Sequence, residues 1–364
     1  VCGVRSTVRP SHAYFGENNS NNIPSVIKHN ISPREASKET MSTESQPRVL
    51  LFGAGGVGTI YLWLLSKVAS PTAVCRSNYS VAKNDGFIIN SSIFGQNIHF
   101  KPHVFRNCEE AASSDAKPFD YIVVSSKAIP GTAPKLIAPA VTPGHTAIVL
   151  LQNGINIEDE YAQAFPGNPI VSTVIYFPAT QRPAGTIAHG EVEKLEVGSY
   201  PASASHQHAK AFVHLITSAG ATAEFYEDIQ QKRWFKLLIN APWNPICALT
   251  LSKDTQVLAS TNEAADVILA VMLEVCDIAA AYGYTFTREE VDRQIGKAKA
   301  RVPLNAGIEP SMLQDVQTGR RMEVEAIVGN LVRLGKEKGV KCVRLEIIYV
   351  LAKALDLHMG RLSQ

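Results

Sequence analysis

The chain has 364 residues, 45% of them hydrophobic and 19% charged, and its 35 Lys and Arg against 33 Asp and Glu leave a formal net charge of +2. That length exceeds one typical domain and the apolar content supports a core, so wholesale disorder is excluded and two globular units are expected. The charges are interspersed and the longest apolar runs, at 147–151 and 264–273, are short or interrupted, so neither nucleic acid nor a membrane is an expected partner.

Residues 1–46 are rich in Ser and Asn and show no hydrophobic period, which reads as a disordered leader or tail. A start at Met41, just before the first strand-like segment, is one reading. A mitochondrial transit peptide is another, since Arg5, Arg9, Lys28 and Arg34 face a single acid, Glu17, before position 35. The expected placement is therefore cytoplasmic, with a mitochondrial alternative. The six cysteines, Cys2, Cys75, Cys108, Cys247, Cys276 and Cys342, form no CxxC pair, which predicts buried thiols and no disulfide or metal site.

From residue 47 the pattern alternates: strand at 48–52, helix at 57–67, strand at 71–76, then buried strands at 121–125 and 146–151. Such alternation implies a parallel sheet with covering helices. The stretch 170–197, punctuated by Gly and Pro, reads as antiparallel additions. Beyond Asp228 helical periodicity takes over at 228–241, 261–282, 287–300, 321–338 and 343–357. The expected fold is an α/β Rossmann-like domain over 47–227 followed by an all-α domain over 228–364 that carries substrate and catalytic groups.

Gly53, Ala54, Gly55, Gly56, Val57 and Gly58 form a GxGxxG run between the first strand and the first helix. The three spaced glycines have separable tasks: Gly53 permits the tight turn, Gly55 lets a pyrophosphate approach the backbone, and Gly58 lets helix and strand pack closely. The phosphates would rest on the free N–H groups and positive end of the helix. At the end of the second strand an acid would bind the ribose hydroxyl of NAD, but no Asp or Glu occurs between 60 and 84, and Arg76, Ser77 and Asn78 stand there instead. A guanidinium with two hydrogen-bonding neighbours suits a 2′-phosphate, which favours NADPH. Arg76 as an ordinary solvated side chain is the plainer alternative.

Farther on, Lys236, Asn240 and Asn244 recur every four residues, on one face of a helix inside an apolar stretch. Read alone, a lysine there equally suits a side chain that runs out to solvent. Ser311-Met-Leu-Gln-Asp315 and Glu323 form a second polar cluster, compatible with a turn residue and an exposed acid.

Taken in order, the glycine motif, Ser126-Lys127, Gln152-Asn153-Gly154, the Lys236/Asn240/Asn244-Pro245 segment, and Ser311 to Asp315 with Glu323 resemble the ketopantoate reductases (2-dehydropantoate 2-reductases) over residues 48–358. The resemblance implies that Lys236 is a general acid and Glu323 its catalytic partner. Asn240, Asn244 and Ser311 then hold the substrate, a small 2-oxo acid, while Lys127 and Asn153 lie near the nicotinamide, Asn153 touching substrate as well. It implies NADPH-dependent reduction of ketopantoate to pantoate, a step towards coenzyme A, by a monomer or homodimer. A paralogue acting on another 2-oxo acid or ketone, and a non-catalytic NADPH sensor, are the alternatives. Pro242, between the two asparagines, departs from an uninterrupted helix and is expected to kink it.

Overall fold

Every residue of Val49-Leu50-Leu51-Phe52 is buried, with no polar alternation, as a central parallel strand covered on both faces requires. The computed structural model of the chain describes residues 46–362; the readings of the leader, the late start and the transit peptide lie outside the described residues. In order, the elements are β1 (Arg48–Phe52), α1 (Gly56–Leu65), β2 (Ser70–Val74), α2 (Tyr79–Asn84), β3 (Phe87–Ser91), β4 (Gly95–Phe100), β5 (His103–Phe105), α3 (Cys108–Ser113), β6 (Tyr121–Val124), α4 (Ala133–Ile137), β7 (Ala147–Leu150), α5 (Asp159–Ala164), β8 (Ile170–Tyr176), β9 (Ala179–Gln181), β10 (Thr186–His189), β11 (Lys194–Tyr200), α6 (Gln207–Ser218) and β12 (Ala223–Phe225). Helices follow: α7 (Gln230–Thr250), α8 (Asp254–Leu258), α9 (Ala264–Ala281), α10 (Arg288–Arg301), α11 (Ser311–Gln317), a π-helical turn Glu325–Gly329, α12 (Asn330–Glu337) and α13 (Val343–Leu362). These described residues belong to one compact unit, Ser45–Gln364.

The main sheet has the order β12-β11-β8-β7-β6-β1-β2-β5. Strand β1 pairs in parallel with β2 on one side and β6 on the other, so the chain reverses its direction of travel across the sheet at β1. The crevice beyond the carboxyl ends of β1 and β6 is thus the topological switch point, where open α/β sheets hold ligands. Two apolar layers cover the faces of this sheet, one around Ile60, Leu64 and Phe212, the other around Leu50, Ile122 and Tyr161.

The segment 170–197 meets the antiparallel expectation only in part, in β11 against β8 and β9 against β10. Strand β8 is parallel to β7, pairing Ile148 with Ile170, and only β11 runs antiparallel to β8. The first six residues of β8 are all buried, a parallel-strand signature that the flanking Gly and Pro punctuation obscures. Strands β9 and β10 leave for a second sheet, β4-β3-β10-β9, in which β10 pairs in parallel with β3 nearly a hundred positions earlier, a partnership no local pattern encodes.

Helix α7 also corrects the reading. It does not stop at 241 but continues through Pro242 and Pro245 to Thr250. Each interior proline costs about 3 kcal/mol. Trp234, Leu237, Leu238, Ala241, Trp243, Cys247 and Ala248 are all buried against the neighbouring helices, and large side chains contribute roughly 1.5–3 kcal/mol each on burial, so packing outweighs the lost hydrogen bonds. The expected 321–338 helix begins only at 324 and passes through the π-helical turn Glu325–Gly329 into α12. The five described cysteines are free, and burial pushes the thiols of Cys75, Cys108 and Cys247 up to about 12, which leaves them unreactive. None of the helices among the described residues is long and apolar enough to cross a membrane.

Candidate active site

The glycine run sits at the switch point, and its members differ in the way the motif demands. Gly53 has φ +100°, and a Cβ there would run into the backbone of Ser125 and Ser126 at the end of β6. A Cβ on Gly58 would stand 2.8 Å from the Gly53 carbonyl oxygen and from the Ser125 Cβ, so helix and strands meet only because it is glycine. Gly55, by contrast, is exposed with nothing within 4 Å of its missing Cβ. It caps α1 without any side-chain hydrogen bond, and the first turn carries no acid, so the helix start presents free N–H groups and the positive end of its dipole to open space. Gly56 serves another purpose: a Cβ there would meet Ala179 of β9 at about 3.1 Å. Ala54 is buried and Val57 half-buried beside the loop.

Around this opening, Arg76 is exposed and its side chain has no partner among the described residues. Asn78 does not stand free beside it. Its Nδ2 donates to the Ala54 carbonyl at 2.7 Å and to Gln181 Oε1 at 2.9 Å, so it braces the glycine loop instead of waiting for a phosphate. The Oγ of Ser126, next to Gly53, is buried without a hydrogen-bond partner among the described residues. An uncapped helix start, with a guanidinium and a hydroxyl that have no partner among the described residues, fits a dinucleotide.

Beyond β7 the chain enters Gln152-Asn153-Gly154. Gly154 has φ +110°, and a Cβ there would lie 2.5 Å from the carbonyl oxygen of Ala326 in the π-helical turn. The Ile155 N–H donates to that same carbonyl at 3.0 Å, so the loop is pressed onto the helical part of the chain. Asn153 Oδ1 accepts a hydrogen bond from Lys236 Nζ at 2.8 Å; Nζ also donates to the Ile175 carbonyl and lies 5.1 Å from the centre of the Tyr176 ring. Burial, and then the nearby Arg233 cation, lower the Lys236 pKa to about 7, against the opposing pull of Glu196 and Glu323. A lysine so placed gives up its proton readily at neutral pH.

The other predicted residues fall into two groups. Asn240 lines the same small cavity as Asn153, Arg233 and Lys236, and its side chain has no protein partner among the described residues. The cavity measures about 10 Å³, room for a single water. Asn244 is committed elsewhere: its Oδ1 accepts from Ser311 Oγ at 2.9 Å and from the Met312 N–H at 3.1 Å, pinning the start of α11 to α7. Ser311 and Asn244 therefore meet each other. Lys236, Asn240 and Asn244 all lie on α7, which continues past Pro242.

Glu323 touches Lys127 rather than Lys236. Its Oε1 accepts from the Ala128 N–H at 2.9 Å, and its Oε2 lies 3.5 Å from Lys127 Nζ. Its influence on Lys236 is through space. Lys127 is held more tightly by Asp315, 2.6 Å away; although burial opposes the ammonium, Glu323 and Asp315 outweigh it and raise its pKa. Asp315 was visible in the sequence only as the last letter of a motif. Arg233, three positions before Lys236, gave no signal at all, because a basic residue at the start of a helix is usually solvated, and this one is 2% exposed.

The chain matches the family model for ketopantoate reductase PanE/ApbA over residues 49–202 and its C-terminal counterpart over residues 228–356. The chain belongs to the ketopantoate reductase family. This is a family of oxidoreductases. Among relatives of this chain, the uncharacterized protein YDL144C of Saccharomyces cerevisiae is 31% identical over 83% of this chain and 91% of its own. The solved 2-dehydropantoate 2-reductase from Methylococcus capsulatus is 31% identical, with TM-score 0.75 over 86% of this chain and 97% of that one. A D-mandelate dehydrogenase solved with NADH and anilino(oxo)acetate shares the fold at 20% identity, with TM-score 0.76 over 86% of this chain and 99% of that one.

Proposed function

We propose that this ketopantoate reductase family member reduces 2-dehydropantoate to pantoate with NADPH, with Lys236 as the acid. The observation that carries the reading is Lys236 itself, a lysine of lowered basicity fastened to Asn153 beside the crevice at the carboxyl end of the sheet. The dinucleotide, when bound, supplies a hydride to the ketone carbon. Gly55 and the start of α1 receive its pyrophosphate, Arg76 pairs with the 2′-phosphate, and the Ser126 hydroxyl gains the partner it lacks.

Negative charge then grows on the ketone oxygen, where the Lys236 ammonium stabilises it and delivers a proton. Asn153 holds the lysine in place from the sheet side. Asn240, one turn further along α7 and without a side-chain partner among the described residues, offers its amide to a substrate hydroxyl. Ser311, in this reading, turns its hydroxyl from Asn244 to the substrate carboxylate, and Asn244 then answers with its own amide. Lys127, fixed by Asp315 and Glu323, borders the nicotinamide end. The domain division at 227/228 is part of the same proposal: the sheet-bearing part binds the dinucleotide and the helical part the 2-oxo acid.

A second reading, a paralogue for a different 2-oxo acid, draws support from the mutual bond between Asn244 and Ser311, which leaves Asn240 as the one uncommitted amide of the predicted pair. Comparing ketopantoate with its analogue lacking the terminal hydroxyl separates the two. A loss of about 10²-fold or more in kcat/KM for the deoxy analogue supports ketopantoate as the substrate, because buried amides would be left unpaired. Equal turnover favours the paralogue.

A further inference from the structure

A second ionic group lies beside Lys236. Arg233, on α7, is 2% exposed, and Glu158, just ahead of α5, is fully buried. The Arg233 Nε lies 2.6 Å from Glu158 Oε1 and donates to Ser172 Oγ at 2.7 Å, while that hydroxyl donates to Glu158 Oε1 at 2.7 Å. Gln230 Nε2 donates to the same carboxylate oxygen at 2.8 Å. From the other arm of the guanidinium, Nη1 donates to the carbonyls of both Gln152 and Gly154, at 3.1 and 2.9 Å. Nη2 is buried without a partner among the described residues, and the residue lines the small cavity shared by Asn153, Lys236 and Asn240.

A buried ion pair gives little net stability, because desolvation of the two charges offsets their attraction. What this one does achieve is geometric. The two carbonyls that Nη1 grips flank Asn153 on either side, and Asn153 is the residue that holds the lysine. We infer that Arg233 is a positioning residue for Lys236: from three residues earlier on α7 it clamps the Gln152–Gly154 loop through both carbonyls, fixing Asn153 Oδ1 at the lysine, with Glu158 as its counter-charge. The guanidinium fork places donors toward the two carbonyls and toward the carboxylate from separate nitrogens, which a single ammonium nitrogen does not.

The same placement gives Arg233 an electrostatic part. The groups that act on Lys236 are Arg233 from its own helix, Glu196 from β11 and Glu323 from the segment before the π-helical turn, with the Tyr176 ring from β8 beneath it. After burial, Arg233 is the foremost influence that lowers the basicity of the lysine. Removing the arginine together with its counter-charge therefore moves the lysine's titration to higher pH.

The inference rests on Lys236 being the acid, so its test includes a readout that needs no substrate. Lys236 is titrated in the full chain by NMR of 13C-labelled lysine side chains, assigned with Lys236→Arg, alongside kcat and KM measured across pH. In Arg233→Met/Glu158→Gln, which removes both charges together, the midpoint is expected to rise by about half a pH unit or more and kcat to fall about tenfold or more, with the cofactor KM within about twofold. Arg233→Lys keeps the charge but loses the fork; its midpoint is expected to stay near the native value while kcat falls. Native kcat and native midpoint in the double variant overturn the inference. If the double variant does not fold, native kcat in Arg233→Lys overturns it, as does a loss there shared equally by cofactor KM and kcat, which marks a purely structural role. Should the native protein turn over no 2-oxo acid, the proposed function fails, and the NMR titration alone still decides whether Arg233 governs Lys236.

Discussion

Lys236 Nζ and Asn153 Oδ1 stand 2.8 Å apart, a hydrogen bond that joins the central helix α7 to the loop leaving the sheet after β7. The bond links the helical part of the chain to the switch-point crevice. Removing the amide, in Asn153→Ala, is expected to lower kcat/KM about tenfold while leaving the thermal midpoint within a few degrees, measured by steady-state kinetics and a melting curve.

Lys236 must be protonated to act as an acid. Its pKa is lowered to about 7, by burial first and by Arg233 second. The sign follows directly: the ammonium is present below about 7 and lost above it, so kcat/KM for ketone reduction is expected to be level on the acid side and to fall about tenfold per pH unit on the alkaline side. Lys236→Ala abolishes that limb and lowers kcat by about 10²-fold or more, with NADPH affinity nearly unchanged in a fluorescence titration. A limb that persists in the variant belongs to another group.

The glycines offer a contrast inside one motif. Gly55→Ala places a Cβ in open space and is expected to leave the melting temperature near native while weakening the dinucleotide about tenfold or more, because the methyl occupies the approach of the pyrophosphate. Gly58→Ala meets the Gly53 carbonyl and the Ser125 side chain, and is expected to cost about 1–3 kcal/mol of stability through overpacking. Melting curves with and without NADPH check both.

Arg76→Ala is expected to weaken NADPH about tenfold or more, the range of a charge-assisted phosphate contact, and NADH hardly at all. Dissociation constants for the two cofactors decide it; equal losses mean that Arg76 does not read the 2′-phosphate.

Glu323 accepts a backbone N–H and faces Lys127, so charge and hydrogen bond can be separated. Glu323→Gln keeps an acceptor for the Ala128 N–H and is expected to lose less activity than Glu323→Ala, which frees both groups. Equal losses in kcat/KM show that the charge alone matters.

What the sequence revealed depended on how local the physics was. The glycine run, the buried β1 and the four-residue spacing on α7 are written within a turn or two of chain, and they brought the crevice and Lys236 into view. The partnership of Lys127 with Asp315, nearly two hundred positions apart, and the β10–β3 pairing are tertiary events with no local trace. Pro242 does not end the helix, because propensity names a cost without the packing that outweighs it. Asn78 and Asn244 have the right chemistry for ligands, yet the fold spends Asn78 Nδ2 on the glycine loop and Asn244 Oδ1 on α11. Arg233 was missed for the opposite reason: composition makes arginine a surface residue, and only the placement of Glu158 and Ser172 makes it a buried one.

The most direct test of the account is kcat/KM of the purified full chain for a panel of small 2-oxo acids, each with NADPH and with NADH. The expected result is the highest value for 2-dehydropantoate with NADPH, and a sharp loss for that substrate in Lys236→Ala. A higher value for another 2-oxo acid, a preference for NADH, or full activity without Lys236 contradicts it.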